Sequence, residues 1–305
     1  MTVPGPAPGS ADPNDAATIH QVLRHPAFPQ AMRHIGRRFL ALHADYMVSK
    51  LIADEGRYLV CQFAISLHAG WRAEDPGSGL TLSRLVKQCL AFQVLSRGRI
   101  EAMVALLRRT GRLVDAPPGP DRRIRRLLPG PPLEAEFRER VRFHLEALDL
   151  VMPGRPYLRR LDSDPDYYWA LERERGAYVA DQPSLRLRLP ALAAVSDIEG
   201  GYLTLTALID ALPDPIGPAD IAFPHLDMAE RLRLPRTQLR RVLEGLEAAG
   251  LVQPLAAAGH SVRVLPLAVE TMAIWHAIRL LRFDRNGARA AAARDGFPFP
   301  PLAHG

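Results

Sequence analysis

The chain has 305 residues, of which 48% are hydrophobic and 24% charged, a balance typical of a folded globular protein with a sizeable core. Lysine and arginine together number 39 against 33 aspartates and glutamates, which gives a formal net charge of +6. Nearly all of the positive charge is arginine, because lysine occurs only at Lys50 and Lys87. This balance favours an anionic partner such as nucleic acid.

The sequence argues against several other classes of protein. No apolar run reaches the length of a membrane span, and the N-terminus lacks the pattern of a secretory signal. Cys61 and Cys89 stand alone, without disulfide or metal spacing, which indicates a reducing cytoplasm. Asp162, Asp164 and Asp166 alternate as in a calcium loop, but the glycine and glutamate of such a loop are missing. Since motifs for nucleotide binding and nucleophilic catalysis are also missing, we expect no enzyme, no cofactor and no metal.

The clearest local pattern lies in the stretch from Met228 to Val252. Its apolar residues fall on one helical face, Pro235 stands at the start of that helix, and Gly250 is placed to end it as a left-handed cap. A short upstream helix, Met228–Leu232, is joined to it by about three residues, and a strand follows. This order is typical of a winged helix-turn-helix. An ordinary amphipathic hairpin with a solvated arginine face is the alternative.

A similar pattern occurs in the first half of the chain. Ser96 can cap a helix that ends at Gly111, and a strand follows at Leu113-Val114. Asp115–Pro129 then predicts a hairpin, the wing, that is rich in arginine. The remaining helices are predicted at Ala16–Ala53 with proline breaks, Gly56–Ala69, Leu80–Leu90, Glu134–Leu150, from Pro165, after Pro183, Glu199–Ala211 and Glu270–Phe283, with a linker at 213–220.

The two patterns belong to an internal repeat. Glu55–Leu59 matches Glu199–Leu203 at an offset of 144, which Leu82 and Leu226 share. The helix ending at Gly111 matches the helix ending at Gly250 at an offset of 139, and the wing ends, Leu128-Pro129 and Leu265-Pro266, differ by 137. Because the offset changes only in loops, we interpret the chain as a tandem duplication.

The duplication predicts the fold class and the domains. We expect a mainly α protein with small β-wings, in which two winged helix-turn-helix domains form an intrachain pseudo-dimer. Helical arms at 31–53, 134–150, 167–180 and 270–283 would pack together as its hub. The predicted divisions are a disordered tail at 1–18, a first domain at 19–153, a second at 154–286 and a C-terminal tail at 287–305.

The first half resembles the MarR family of bacterial winged-helix regulators. The resemblance rests on Thr81–Leu85, Ser96–Thr110, Gly111–Val114 and the run Asp121–Arg125, which is similar to the D-x-R-x-R wing motif of that family. It covers about Ala31–Leu150, and a weaker copy covers about Tyr167–Phe283. The chain departs from the family because its two lobes are fused. Its second wing also lacks the Asp-Arg-Arg run and keeps only His260 and Arg263.

The resemblance implies a sequence-specific transcriptional regulator, most often a repressor, that reads two half-sites of double-stranded DNA in the bacterial cytoplasm. It also implies a small aromatic or acidic effector bound between the hub and a reading lobe. A homodimer of such chains stays open, as does oxidant sensing by Cys61 or Cys89, for which an inert core role is preferred. The alternative is a winged-helix module that binds proteins and has lost DNA binding. Because arginine pairs with phosphate and with guanine, the candidate DNA contacts are Arg97, Arg99, Arg122, Arg123, Arg125, Arg236, Thr237, Gln238, Arg240 and Arg241.

Overall fold

The described part of the chain consists of helices with two small antiparallel sheets, and 66% of the described residues are helical. A computed structural model describes residues 15–75, 77–93, 95–118, 121, 123–181, 188–255 and 261–296. The predicted mainly α class with small β elements is confirmed at this level.

The first half begins several of its helices at polar residues. The side chains of Asp15, Asp45, Asp54 and Thr81 accept hydrogen bonds from free N–H groups in the first turn of α1, α3, α4 and α5. The elements are α1 (Ala16–Leu23), α2 (Phe28–Leu42), α3 (Tyr46–Leu51), α4 (Glu55–Ala69), α5 (Leu82–Ala91), α6 (Arg97–Arg109), β1 (Leu113–Asp115), β2 (Leu127–Pro129) and α7 (Pro131–Val151).

The second half starts its helices mostly at proline and glycine. Pro190 and Pro266 occupy first helical positions, and Gly200 precedes its helix with a φ of 80°. The elements are α8 (Tyr157–Ser163), α9 (Tyr167–Asp181), α10 (Pro190–Ser196), α11 (Gly201–Asp210), β3 (Ala219–Ala222), α12 (His225–Arg231), α13 (Arg236–Ala248), β4 (Val252–Pro254), β5 (Ser261–Val264) and α14 (Pro266–Gly296).

Several predicted boundaries differ from the structure. Helix α8 was not predicted between the helices expected at Glu134–Leu150 and from Pro165; here Tyr157 is buried and its hydroxyl donates to Asp284 at 3.0 Å. Strand β3 lies partly within the expected linker, because it pairs with β5, far away in sequence. Helix α14 continues to Gly296, well into the expected tail, through an alanine-rich segment of high helix propensity. Pro235 is the residue before α13 rather than its first residue.

The same order of elements occurs twice, and backbone hydrogen bonds align the two copies. Gly130 N donates to the carbonyl of Arg112 at 2.8 Å, and Leu265 N donates to that of Leu251 at 3.0 Å. In the turns between α5 and α6 and between α12 and α13, Gln93 and Arg233 adopt φ values of 52° and 55°.

The pairing of strand residues gives the residue offset between the two halves more accurately than the sequence match does. Leu113 pairs with Pro129, and Val252 pairs with Val264, so the offset after the hairpin is 135. The predicted offset of 137 at the wing ends is therefore wrong by two residues. In both halves a preceding segment pairs beside the second hairpin strand, through the Thr81–Arg126 bridge and through β3 with β5.

Helices of each half pack against helices of the other half as well as against their own. Helix α2 packs on α7 of its own half and on α11 of the other half, whereas α9 packs on α14 of its own half and on α4 of the other. Helix α7 also packs on α14. The helices predicted as arms therefore contact one another, and helices of each half pack on helices of the other.

Two glycines lie where a helix of one half crosses a helix of the other half. A Cβ atom built on Gly176 of α9 would lie 2.5 Å from Cβ of Ser66 on α4. A Cβ atom built on Gly36 of α2 would lie 3.5 Å from a methyl carbon of Thr206 on α11. The approach is therefore much closer at the α9–α4 crossing.

Among the described residues, no single helix is both long and apolar enough to cross a membrane. Helices α10 and α11 reach that length and hydropathy only as a pair, bent by 118°.

Candidate nucleic-acid interface

Helices α6 and α13 each bury one face and expose the other. The buried side of α13 consists of Leu239, Val242, Leu243 and Leu246, as the apolar spacing predicts. The equivalent face of α6 buries Ile100, Met103, Val104 and Leu107. In both helices the outer face is thus left to solvent, as are Arg97 and Arg99 at the start of α6 and Arg236 at the start of α13.

The first turn of α6 carries two of the predicted contacts. Arg97 and Arg99 are both exposed, and the guanidinium of Arg97 lies 3.5 Å from the carboxylate of Glu101. A Cβ atom on Gly98 would meet no atom within 4 Å, so the backbone here is open to close approach. Ser96 precedes the helix as predicted, but its side chain makes no capping hydrogen bond. The free N–H groups of this turn add partial positive charge to that of the arginines.

The hairpin between β1 and β2 positions further arginines. The carboxylate of Asp121 accepts a hydrogen bond from the backbone N of Arg123 at 2.9 Å and lies 3.3 Å from its Nε. The side chain of Arg123 is nevertheless 93% exposed. Arg125 is exposed as well, whereas Arg126 stacks over the ring of Trp71 at 4.4 Å. Arg122, also predicted as a contact, lies outside the described residues.

Helix α13 exposes most of its predicted contacts. Arg236, Thr237 and Arg241 are exposed, and Arg240 is exposed while forming an ion pair with Glu244 at 3.2 Å. Gln238 was also predicted as a DNA contact, but its side chain is not fully exposed.

Gln238 is half-buried, and its side-chain amide donates to the carbonyl of Glu199 at 2.7 Å. This bond ties the start of α13 to the residues just before α11. The amide is therefore engaged inside the protein instead of facing solvent.

In the second hairpin, the arginine side chain is paired with a carboxylate. Arg263 on β5 donates to both oxygens of Asp220 on β3, at 2.6 and 2.9 Å. These bonds lower the pKa of Asp220 below its usual value. His260, the other basic residue of this wing, lies outside the described residues.

The two helix–hairpin segments also differ in their number of charged residues. Residues 97–126 contain nine arginines and three carboxylates, whereas residues 236–263 contain four arginines and two carboxylates. The segment 97–126 is thus the more basic of the two.

Sequence reasoning overlooked a basic surface on α5. Arg84 and Lys87 are exposed one turn apart, on a helix that packs against α6. Arg84 also donates to the carbonyl of Gly77 at 3.0 Å. Their i, i+3 spacing is the sequence signal that could have identified them.

The two cysteines lie in the core. Cys61 on α4 and Cys89 on α5 are fully buried, and burial raises the pKa of each thiol to about 12. Because the thiolate is the reactive form, this environment disfavours oxidation at neutral pH.

No protein-family model, curated protein or solved structure matches this chain. The chain's own residues therefore carry every inference about its function.

Proposed function

We propose that this chain is a sequence-specific, DNA-binding transcriptional regulator, built as a MarR-like pseudo-dimer of two winged helix-turn-helix units. The observation that carries the proposal is the repeated order of helix pair and hairpin, with arginines exposed on the second helix of each pair. Twofold pairs of such units read two half-sites about one DNA turn apart, roughly 34 Å. Here the interlocked hub would hold both units in one chain.

In this proposal α6 and α13 enter successive major grooves. Arg97, Arg99 and Arg236 would pair with phosphates or with the O6 and N7 atoms of guanine. Arg123 and Arg125 of the first wing would reach a neighbouring minor groove, where a narrow stretch concentrates negative potential. Arg84 and Lys87 on α5 would contact the phosphate backbone.

A gel-shift assay against genomic fragments, titrated with salt, tests the proposal. We expect retarded fragments at low salt whose affinity falls steeply as salt rises. Replacing Arg97 and Arg99 together by alanine should weaken specific binding about tenfold or more, since each contact to a base contributes about 1–3 kcal/mol.

Arg24→Ala is the matched control, because Arg24 is an exposed arginine at the end of α1, on the hub side of the molecule. It should leave affinity within about twofold, as a solvated arginine contributes little. Absence of any retarded fragment at low salt would contradict the proposal and favour a protein-interaction module.

A further inference from the structure

A three-residue segment, Ile198–Gly200, lies between the second helix pair and the first half of the chain. It joins α10 to α11, and at the offset of 144 it is equivalent to Asp54–Gly56. On one side it contacts α13, one of the two helices that expose arginines. On its other side it contacts residues around the start of α4.

Two contacts tie the segment to α13 itself. The side-chain amide of Gln238, in the first turn of α13, donates to the carbonyl of Glu199 at 2.7 Å. Further along the helix, a Cβ atom built on Gly245 would collide with the side chain of Ile198. The segment therefore holds α13 at its start and near its middle.

Gly200 forms a backbone link between the halves. Its N–H donates to the carbonyl of Ala53, in the loop before α4, at 2.8 Å. Its φ of 80° is a left-handed conformation that favours glycine, and a Cβ atom built here would lie 2.6 Å from the side chain of Leu234. The turn between α12 and α13 thus packs directly on a residue that is hydrogen-bonded to the first half.

The carboxylate of Glu199 adds a charged link to the first half. It lies 3.5 Å from Nζ of Lys50 on α3 and 3.6 Å from a terminal nitrogen of Arg57 on α4. The side chain of Arg57 is itself held in place, because it donates to the carbonyl of Lys50 at 2.9 Å and lies 3.3 Å from the carboxylate of Asp54. Glu199 therefore contacts α13 through its carbonyl and the first half through its carboxylate.

Two of these contacts are specific to one half. At the offset of 144 the equivalent of Arg57 is Gly201, which has no side chain to form the reciprocal ion pair with Glu55. At the offset of 139 the equivalent of Gln238 is Arg99, whose side chain is exposed. Among the described residues, neither contact therefore has an equivalent at α6.

We infer that Glu199 is a positioning residue for DNA recognition, which fixes α13 relative to the first half and so sets the half-site spacing that one chain reads. The inference rests on the proposed function, in which α6 and α13 enter successive major grooves. Helix α4 packs on both α5 and α6, so a link to α4 relates α13 to the other reading helix.

DNA geometry makes this role measurable. Since DNA turns once in about 10–10.5 base pairs, a spacing changed by two base pairs rotates one half-site by about 70° around the helix axis. A firmly held α13 cannot follow that rotation and loses its base contacts. A loosely held α13 follows it at a smaller cost.

Competitive gel shifts on retained DNA sites, with spacers altered in steps of two base pairs, test the role. The wild-type chain should lose about tenfold or more in affinity when the best spacing is changed by one step, as a misplaced half-site loses its base contacts. Glu199→Ala should lose less than about threefold for the same step. It should bind the best site within about threefold of wild type, because half-exposed ion pairs contribute little to stability. A merely structural defect would instead lower affinity equally at every spacing and would overturn the inference.

A second variant and a control accompany Glu199→Ala. Lys50→Glu places another carboxylate beside Glu199 and should widen the tolerated spacing in the same way, because like charges repel. Glu139→Ala is the matched control, since the side chain of Glu139 is 33% exposed against 32% for Glu199 but pairs with Arg38 inside the first half. It should keep the wild-type preference. Equal spacing tolerance in the Glu139 and Glu199 variants would overturn the inference.

Spin-label distances separate this role from DNA binding. Ala105→Cys on α6 and Ala248→Cys on α13 introduce exposed labelling sites, whereas Cys61 and Cys89 are buried. Without DNA, we expect a narrow distance distribution in the otherwise wild-type chain and a wider one with Glu199→Ala. A wider distribution without any retarded DNA contradicts DNA binding and leaves the positioning of α13 supported. Retarded DNA with unchanged distances and unchanged spacing preference contradicts the positioning role and leaves DNA binding supported.

Discussion

The two hairpins have the same antiparallel pairing but differ in how fully an aspartate engages an arginine side chain. In the first, Asp121 accepts from the backbone N of Arg123 at 2.9 Å and from its Nε at 3.3 Å, and the side chain of Arg123 stays 93% exposed. In the second, Nε and one terminal nitrogen of Arg263 donate to the two carboxylate oxygens of Asp220, so this arginine is paired with an opposite charge within the sheet. The same hairpin pairing therefore does not imply the same surface chemistry. The backbone hydrogen bonds of the two hairpins correspond, whereas their charged side chains differ.

Buried side chains at equivalent positions of the two halves also differ. In the first half, the guanidinium of buried Arg112 donates to the carboxylate of buried Glu136 at 2.5 and 3.1 Å. The equivalent positions in the second half hold Leu251 and Thr271. An ion pair and a largely apolar pair thus support the same junction between hairpin and helix.

Breaking that ion pair gives the largest expected effect. Arg112→Leu should lower the free energy of unfolding by about 3–5 kcal/mol, because the carboxylate of Glu136 would be left buried without its partner. Burial already raises the pKa of Glu136 above its usual value. Urea denaturation measures the change.

The double variant Arg112→Leu/Glu136→Thr copies the second half and provides the control. It should be more stable than either single variant, since neither charge is left unpaired. A double variant as unstable as the sum of the two single variants would show that the halves are not interchangeable at this junction.

The contrast between the wings predicts the next largest effect. Arg123→Ala combined with Arg125→Ala should weaken DNA binding roughly tenfold to a hundredfold at low salt and reduce the salt slope by about 2, one unit for each lost phosphate contact. Arg263→Ala should change affinity less than about twofold, because Asp220 already neutralises that arginine. Salt-titrated gel shifts compare the two, and equal losses would contradict the asymmetry.

Local sequence patterns predict the elements that local interactions decide. The apolar stripe of α13 and the left-handed cap at Gly250 are confirmed, since spacing and backbone conformation are local properties. Strand β3 was missed because its pairing partner lies about forty residues away. The DNA-binding role of the exposed arginines stays a prediction.

Other features depend on contacts that no single segment reveals. Gln238 was expected to face DNA, but its partner, the carbonyl of Glu199, belongs to a distant part of the chain. The burial of Arg140, whose Nε has no hydrogen-bond partner among the described residues, was not predicted because it arises from packing between distant helices. Contacts of this kind are therefore not predictable from spacing along the chain.

Alanine substitutions of the two glycines at the helix crossings have the smallest expected effects on stability. Gly176→Ala would place a methyl group 2.5 Å from Cβ of Ser66, so α9 and α4 must separate, at a cost of about 1–3 kcal/mol. Gly36→Ala would place its methyl group at an ordinary 3.5 Å from Thr206 and should stabilise the protein by about 0.5–1 kcal/mol through helix propensity. Thermal unfolding of the two variants compares the crossings directly. Equal shifts of the two midpoints would show that α9 lies no closer to α4 than α2 lies to α11.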